Sequence, residues 1–308
     1  MPHNAVVVGC GAIGSTLDDA ATEVALTHAT GYETHDQTRL VAGVDPSSAR
    51  RSAFRSSRDA PAYSSVDVAL TNHEIDLVSV CTPPETHLEV VERSVSAGVQ
   101  GVLCEKPLAA DSATARRIVD RCRRAGVPLA VNYTRRYLPG CRTARAMLKT
   151  GTIDDLHRAV LVYNKGFLAN GSHMVDLARW WFGDAEDATV VAGDNPDAIL
   201  TFGETPTHLV YAGNDAYNHV EVDVYGHEGR VQLVDHSGRL LVSPVRDAPL
   251  FDGYRDIGSP STVQTGIEWM CYFAVNDLVR AVEASEPVAC DGEDALKTLE
   301  LCERLRSP

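Results

Sequence analysis

The stretch Val6-Val7-Val8-Gly9-Cys10-Gly11-Ala12-Ile13-Gly14 decides the fold of this chain. An apolar run leads into three glycines with the spacing G-x-G-x-x-G, and a helical pattern is expected beyond them. Such a turn lets backbone N–H groups approach a pyrophosphate closely. The sequence therefore predicts a dinucleotide-binding loop, and the alternative is a glycine-rich turn without a ligand. The predicted loop residues are Gly9, Gly11, Ala12, Ile13 and Gly14.

Further short apolar runs predict parallel strands that are buried on both faces. These runs are Leu40–Val44, Leu77–Cys81, Val102–Cys104 and Leu129–Val131. Helical patterns such as His87–Ala97 and Ser112–Ala125 separate the runs. Alternating strands and helices predict an α/β fold in which residues 1–133 form a doubly wound parallel sheet of the Rossmann type.

Residues 134–308 read differently and predict an α+β domain with a mainly antiparallel, open sheet. The segment His219–Tyr225 alternates between apolar and polar residues, which is typical of a strand with one buried face. Because its outer face lacks lysine, we expect this sheet to join subunits of a homo-oligomer, a dimer or a tetramer. The predicted helices are Cys141–Lys149, Ser172–Phe182, Val263–Glu283 with a cap at 259–262, and Glu293–Arg306.

Composition excludes several classes of partner. The net charge of −14 argues against nucleic acid and anionic membrane surfaces, which require a basic face. No apolar run approaches the roughly 20 residues of a membrane span, and the chain enters a strand without a secretory leader. Eight cysteines without a CxxC pair predict reduced thiols in a cytoplasmic protein. The histidines show no HExxH spacing, so no metal is predicted.

Asp45 ends the second strand and is the expected partner of the adenosine ribose hydroxyls. A carboxylate there repels a 2′-phosphate, so NAD is favoured over NADP. Asp45 lies 31 positions after Gly14, against about 20 in the usual motif. The surplus, Ser15–Leu26, predicts a surface loop before a helix near residue 27. Arg50 and Arg51 argue for NADP, although we expect them a turn or more into the next helix.

Two other strands end in polar residues, which matters because ligands bind beyond the carboxyl ends of parallel strands. The first such segment predicts that Thr82, Pro83 and His87 contact the cofactor, unless Thr86 caps a helix and His87 is solvated. The second predicts a cofactor contact by Glu105 and a catalytic and cofactor-binding role for Lys106. The alternative for Lys106 is an ion pair with Glu105.

Together these segments resemble the glucose-fructose oxidoreductase, inositol dehydrogenase and rhizopine catabolism family over essentially the whole chain. The residues that carry the resemblance are Gly9 to Gly14, Val44-Asp45-Pro46, Cys81-Thr82-Pro83, Glu105-Lys106-Pro107, Asn132-Tyr133, Arg136-Tyr137 and Gly171-Ser172-His173 through Asp176. The resemblance implies an NAD(P)-dependent oxidoreductase that interconverts a secondary alcohol and a ketone on a sugar, cyclitol or related polyol. It also implies that Lys106 contacts both the nicotinamide ribose and the substrate.

His173 is the predicted catalytic base, because an imidazole titrates near neutral pH. Many members of the resembled family carry an aspartate four residues before this histidine, where this chain has Ala169. Asp176 could orient the imidazole, and the alternative for His173 is a bond to a carbonyl. The predicted substrate contacts are Asn132, Arg136, Lys165, Asn170 and Asp176. Arg135 competes with Arg136 for this role, and Lys165 could instead be a solvated strand-end residue.

The missing aspartate keeps two other functions open. One is a cofactor-binding regulator on the same fold, similar to the galactose-pathway repressor. The other is a glycosidase that uses tightly held NAD in a transient redox cycle. Turnover of cofactor with a polyol or keto-sugar distinguishes the oxidoreductase from the regulator, and product analysis on aryl glycosides detects the glycosidase.

Overall fold

The computed structural model describes residues 2–18, 23–213 and 216–306. Contacts between Cα atoms divide the chain into two compact units. The first comprises Met1–Tyr137 and Glu268–Leu299, and the second comprises Leu138–Ile267 and Glu300–Pro308. The division differs from the predicted boundary at residues 133 and 134, and it returns the segment 268–299 to the first unit.

The first unit contains a parallel sheet whose strands are short and buried. They are β1 (His3–Val8), β2 (Thr38–Val44), β3 (Ala62–Tyr63), β4 (Leu77–Val80), β5 (Gly101–Cys104) and β6 (Leu129–Val131). Their spatial order is β3-β2-β1-β4-β5-β6, the order of a Rossmann sheet. The strand order reverses between β1 and β4, and a ligand crevice is expected at the carboxyl ends of these strands. The predicted fold class is confirmed.

The helices cover the faces of the two sheets. They are α1 (His28–Thr34), α2 (Ser48–Ser57), α3 (Val66–Asn72), α4 (His87–Ser96), α5 (Ser112–Ala125), α6 (Pro139–Lys149), α7 (Ser172–Phe182), α8 (Met270–Ala284) and α9 (Gly292–Arg306). Local chemistry fixes the ends of α5. The Asp111 side chain accepts from Thr114 N at its start, and Gly126 with φ 68° ends it.

The second unit contains α6, α7 and a mixed sheet. Its strands are β7 (Leu156–Tyr163), β8 (Asp187–Ala192), β9 (Asp197–Phe202), β10 (Thr205–Tyr211), β11 (Val220–Gly226), β12 (Gly229–Val234), β13 (Arg239–Asp247), β14 (Arg255–Ile257) and β15 (Ser261–Gln264). The order is β14-β13-β12-β11-β7-β10-β9-β8, with β15 beside β13. Within this sheet, β7 and β10 are the only described strands that pair in parallel. In β11 the valines are buried and the residues between them are not.

The prediction of one helix over Val263–Glu283 is wrong at its start. Residues 261–264 form β15, in which Val263 pairs with Leu240 of β13, and α8 begins only at Met270. The serines and threonine that the sequence suggested as a cap lie before and within this strand. β-Branched residues favour a strand once a partner strand is present, and that partner is distant in sequence.

The described residues between Gly14 and α1 differ from the predicted surface loop. A turn of π-helix covers Ala12–Thr16, and Thr27 caps α1 through its side chain, as the predicted helix start requires. Asp18 is buried, and its carboxylate accepts hydrogen bonds from the backbone N–H groups of Leu26 and Thr27. Residues 19–22, including the Asp19 of the predicted loop, lie outside the described chain.

Candidate active site

The glycine loop lies at the point where the strand order reverses. Gly9 has φ +101°, and a Cβ there would stand 2.5 Å from the carbonyl oxygen of Cys81. A Cβ on Gly14 would stand 1.9 Å from the carbonyl oxygen of Gly9. The nearest atom to a Cβ on Gly11 is Arg50 Nη1 at 4.0 Å. Two glycines are therefore required by the fold, and the third leaves space in which a pyrophosphate could approach the backbone.

Asp45 follows β2 and is only 2% exposed. Its Oδ2 accepts from Cys10 N at 3.0 Å and its Oδ1 accepts from Ser47 N at 2.8 Å. Arg50 Nη1 lies 3.6 Å from Oδ2, and its side chain is 62% exposed. Arg50 is thus in the first turn of α2, nearer to Asp45 than the sequence predicted. The expected ribose end of the loop therefore has both an anchored carboxylate and an exposed cation.

His87 does not fit its predicted role. It is fully buried, with Nε2 2.7 Å from the carbonyl oxygen of Thr82 and Nδ1 3.1 Å from that of Leu108. Both ring nitrogens therefore have carbonyl neighbours, which leaves neither for a ribose hydroxyl and also contradicts the solvated alternative. Thr86 donates to Thr82 Oγ1 and to the Pro83 carbonyl instead of capping a helix. Thr82 and Pro83 remain candidates for cofactor contact.

Glu105 follows β5, and one of its carboxylate oxygens accepts hydrogen bonds from two side chains. Its Oε1 lies 3.0 Å from His28 Nε2 and 2.6 Å from Asn132 Nδ2. Burial raises the pKa of this carboxyl, but the bonds and charge of His28, the Asn132 bond and the charge of Lys106 outweigh it and hold the pKa below its usual range. Glu105 is an ionised group held in place, and Lys106 beside it is half-buried.

Sequence reasoning missed the residues behind Glu105. His28 Nδ1 lies 2.8 Å from Ser79 Oγ, and Tyr32 Oη lies 2.9 Å from the same oxygen. All three side chains are fully buried. One signal was present in the sequence, since Ser79 interrupts the apolar run of β4 and a buried hydroxyl needs a partner.

Of the two residues predicted after β6 for substrate contact, one fits and the other does not. Asn132 is 2% exposed, and its Oδ1 is buried without a hydrogen-bond partner among the described residues. An acceptor of this kind suits a ligand donor. Arg136 is equally buried, but its Nη1 pairs with Asp294 Oδ2 at 2.7 Å. This ion pair gives the Arg136 guanidinium a structural role, which argues against the predicted contact with a substrate.

The second unit carries the remaining predicted residues on and before α7. His173 is half-buried, Ala169 and Lys165 are exposed, and Lys165 has φ 59°. Asn170 Nδ2 donates to Asn218 Oδ1 at 2.9 Å.

Asp176 is 1% exposed. The pKa of the Cys302 thiol is raised first by the burial of the thiol and second by the charge of Asp176. The burial of Asp176 favours a structural role over substrate contact.

The described residues also bear on metal sites and membrane spans. No group of three or more histidine, cysteine, aspartate or glutamate side chains is arranged to hold a metal ion in the described ranges. None of the described helices combines the length and apolarity needed to cross a membrane.

A Rossmann sheet with a glycine loop at its crevice is the arrangement that nicotinamide-dependent oxidoreductases use to hold their cofactor. Residues 3–133 match the family model described as "Oxidoreductase family, NAD-binding Rossmann fold". This match agrees with the resemblance of the sequence to the glucose-fructose oxidoreductase, inositol dehydrogenase and rhizopine catabolism family.

Named relatives agree with this assignment. The chain is 28% identical to a D-apiose dehydrogenase of Paraburkholderia graminis over 67% of its length, which spans 64% of that relative. It is 29% identical to inositol 2-dehydrogenase 2 of Saccharopolyspora erythraea, over 79% of this chain and 74% of that one. The fold resembles that of the WlbA dehydrogenase from Bordetella pertussis, solved with NADH and UDP-GlcNAcA. That similarity has a TM-score of 0.78 at 18% identity, and covers 99% of this chain and 95% of the other.

Proposed function

We propose that this protein is an NAD-dependent oxidoreductase that interconverts a secondary alcohol and a ketone on a sugar, cyclitol or related polyol. The observation that carries the proposal lies in the first unit. Lys106 follows a fixed, ionised Glu105 at the carboxyl end of β5, and β5 neighbours the strand whose end packs against Gly9. Relatives named as apiose and inositol dehydrogenases support the substrate class.

The glycine loop fits a dinucleotide. Side chains at Gly9 and Gly14 would collide with backbone atoms, whereas the space beside Gly11 is open. Gly11, Ala12 and Ile13 would lie against the pyrophosphate, and Thr82 and Pro83 against the nicotinamide half. When bound, the nicotinamide supplies the hydride acceptor. Asp45 would accept from the ribose hydroxyls, which supports NAD as the preferred cofactor over NADP.

The residues of this chain handle the proton. In alcohol oxidation the hydroxyl proton leaves to the imidazole of His173 while the C–H hydride leaves with its electron pair. Lys106 would donate a hydrogen bond to the reacting oxygen and stabilise its negative charge. Asn132, whose Oδ1 is buried without a partner among the described residues, would accept from a hydroxyl or amide of a ligand. Lys165 and Asn170 are proposed substrate contacts of the second unit.

The first test is turnover of NAD with a panel of cyclitols and aldoses that includes myo-inositol and D-apiose. Lys106→Ala and His173→Ala should each reduce kcat by about 10²–10⁴-fold, the usual contribution of a positioned acid or base. The affinity for NAD should change much less in His173→Ala. Lys149→Ala, which removes an exposed lysine of α6, is the matched control. Full activity in the His173 variant would falsify the assignment.

Ala169 offers a second arm of the same test. Ala169→Asp restores the carboxylate common in the family, and should raise alcohol oxidation if His173 lacks only this partner. A lower rate in Ala169→Asp would mean that the site serves a different substrate. Binding of NAD without turnover of any member of the panel would instead favour the cofactor-binding regulator, which Ala169 already makes the second candidate.

We also infer a homo-oligomer that forms through the mixed sheet. On β11 the residues Glu221 and Asp223 are half-buried and Tyr225 is 36% exposed, while the valines between them are buried. A monomer in sedimentation at micromolar concentration would contradict this inference. None of the eight cysteines, all of which lie in the described chain, is joined in a disulfide, which supports a cytoplasmic location.

A further inference from the structure

A series of buried side chains joined by hydrogen bonds lies behind Glu105. Tyr32 Oη, Ser79 Oγ and His28 Nδ1 follow one another at 2.9 and 2.8 Å, and His28 Nε2 reaches Glu105 Oε1 at 3.0 Å. Tyr32, Ser79 and His28 are each 0% exposed. Bulk water therefore does not compete for these groups, and their hydrogen bonds depend on one another.

The Glu105 carboxylate is an acceptor, so His28 Nε2 carries a hydrogen toward it at 3.0 Å. Either hydroxyl of the Tyr32–Ser79 pair can donate. The hydrogen between Ser79 Oγ and His28 Nδ1 belongs to the serine when the imidazole is neutral and to Nδ1 when it is charged. Tyr32, Ser79 and His28 thus form a continuous chain of hydrogen bonds that ends at Glu105.

The other groups around Glu105 leave it as the anion of this cluster. Three thiols face it from different elements, namely Cys81 after β4, Cys104 in β5 and Cys271 in α8. Burial first, and then the charge of Glu105, raises the pKa of each thiol well above its usual value. Burial likewise raises the pKa of Tyr32, so the thiols and the phenol stay neutral.

We propose that His28 is a positioning residue for Lys106. With Ser79 and Tyr32 behind it, His28 holds Glu105 as a fixed, ionised carboxylate, and this carboxylate keeps the Lys106 amine protonated. The proposal rests on the proposed role of Lys106, and it sharpens that role. Lys106 acts as a charged hydrogen-bond donor to the reacting oxygen, and His173 takes the proton.

The charge coupling between Glu105 and Lys106 works in both directions. The backbone N–H of Lys106 donates to Glu105 Oε2 at 3.3 Å, and the Lys106 charge is among the causes that hold the pKa of the Glu105 carboxyl below its usual range. Because the attraction between opposite charges is mutual, an ionised Glu105 favours the charged form of the Lys106 amine. Removing the His28 donor leaves a buried carboxylate with one side-chain hydrogen bond fewer. Glu105 then binds a proton more readily, and the Lys106 amine loses its proton at lower pH.

The composition of the chain makes this measurable without a substrate. Its only lysines are Lys106, Lys149, Lys165 and Lys297, so reductive ¹³C-methylation labels four lysines and the amino terminus. The signal of Lys106 is assigned by its loss in Lys106→Arg. In the NAD-bound protein, His28→Leu should shift the Lys106 titration to lower pH and leave the other three lysines in place. His28→Gln should restore it, because the glutamine amide can donate from near the position of Nε2.

Two further variants keep the test decisive if His28→Leu does not fold. Ser79→Ala removes the hydroxyl that bonds with Nδ1 of His28, and Tyr32→Phe removes only the hydroxyl at the far end of the chain. Ser79→Ala should shift the Lys106 titration in the same direction as His28→Leu but less, and Tyr32→Phe least. An unchanged Lys106 titration in a folded His28→Leu or Ser79→Ala protein overturns the proposal.

The two proposals fail separately. If Lys106 titrates at lower pH in His28→Leu but Lys106→Ala retains full turnover, the positioning stands and the proposed role of Lys106 in catalysis falls. If Lys106→Ala is inactive and His28→Leu neither moves the titration nor lowers kcat, the positioning is overturned and the proposed function stands.

Discussion

The parallel sheet of the first unit and the mixed sheet of the second unit place polar groups in opposite ways. Strands β4 and β5 are buried along their whole length, and the polar Ser79 within them is bonded inside the protein. Strands β11 and β12 bury alternate residues and leave most of the others partly exposed on the outer face of the sheet. A polar residue of the first sheet therefore depends on one or two particular partners, whereas one on the outer face of the second sheet is accessible to other partners.

Two arginine–aspartate pairs show the same contrast. In the first unit the side chains of Arg58 and Asp18 are both 0% exposed and 2.9 Å apart. In the second unit Arg230 pairs with Asp223, and their side chains are 29% and 22% exposed. When a buried charge loses its partner, no water replaces the lost interaction. When an exposed charge loses its partner, water solvates the charge instead.

The largest expected effect comes from breaking the buried pair. Arg58→Ala should destabilise the protein by about 3–5 kcal/mol, because it leaves the Asp18 carboxylate buried and uncompensated. Arg230→Ala, the matched change at the partly exposed pair, should cost less than about 1 kcal/mol. Urea unfolding of both variants measures the two free energies. Equal losses of unfolding free energy in the two variants would contradict the expected difference between the buried and the partly exposed ion pair.

Acid should weaken the buried pair in a defined pH range. Burial raises the pKa of Asp18, but bonds from Thr27, Thr30 and Arg58 outweigh it and hold the pKa below the ordinary 3.8. A lowered pKa contributes stability that is fully present above the ordinary value and is lost as the pH falls through the folded-state value. The stability gap between the unmodified protein and Asp18→Asn should therefore close below about pH 4. A gap that stays constant down to pH 2 would contradict this account.

The smallest expected effect concerns the choice of cofactor. Asp45→Ala should narrow the preference for NAD over NADP by roughly tenfold, since bonds to a charged group contribute about 1.5–3 kcal/mol. Arg50→Ala should widen the preference, because the cation 3.6 Å from Asp45 could pair with a 2′-phosphate. Dissociation constants from fluorescence titration give the ratio, with Arg55→Ala as the control further along α2. Tighter binding of NADP than NAD by the unmodified protein would contradict the assignment.

The sequence predicted well those features that short-range chemistry determines. Helix α5 matches its predicted bounds residue for residue, because Asp111 and Gly126 are its own flanking residues. The strands of the parallel sheet are continuous apolar runs, and the glycine spacing identifies the loop between them. Lys106 was recognisable for the same reason, since it follows the last residues of such a run.

Features that depend on distant partners could not be predicted. The helix expected from Val263 became β15 because a strand of the mixed sheet lies beside it. Arg136 was expected at a substrate, but its partner Asp294 is 158 positions away. His28 was not singled out, since Ser79 and Glu105 stand 51 and 77 positions from it. Only the folded chain shows that these groups meet.

The bonds between Asp18 and Thr27 have a consequence for protein engineering. The Asp18 carboxylate accepts from Thr27 N at 2.9 Å and from Thr27 Oγ1 at 2.7 Å, so the two residues fasten the ends of the segment between them. The entropy of closing a loop grows only slowly with its length. An affinity tag or a fluorescent reporter could therefore be inserted between Asp18 and Glu23, ahead of the buried Ala25, with the glycine loop on one side and α1 on the other still anchored.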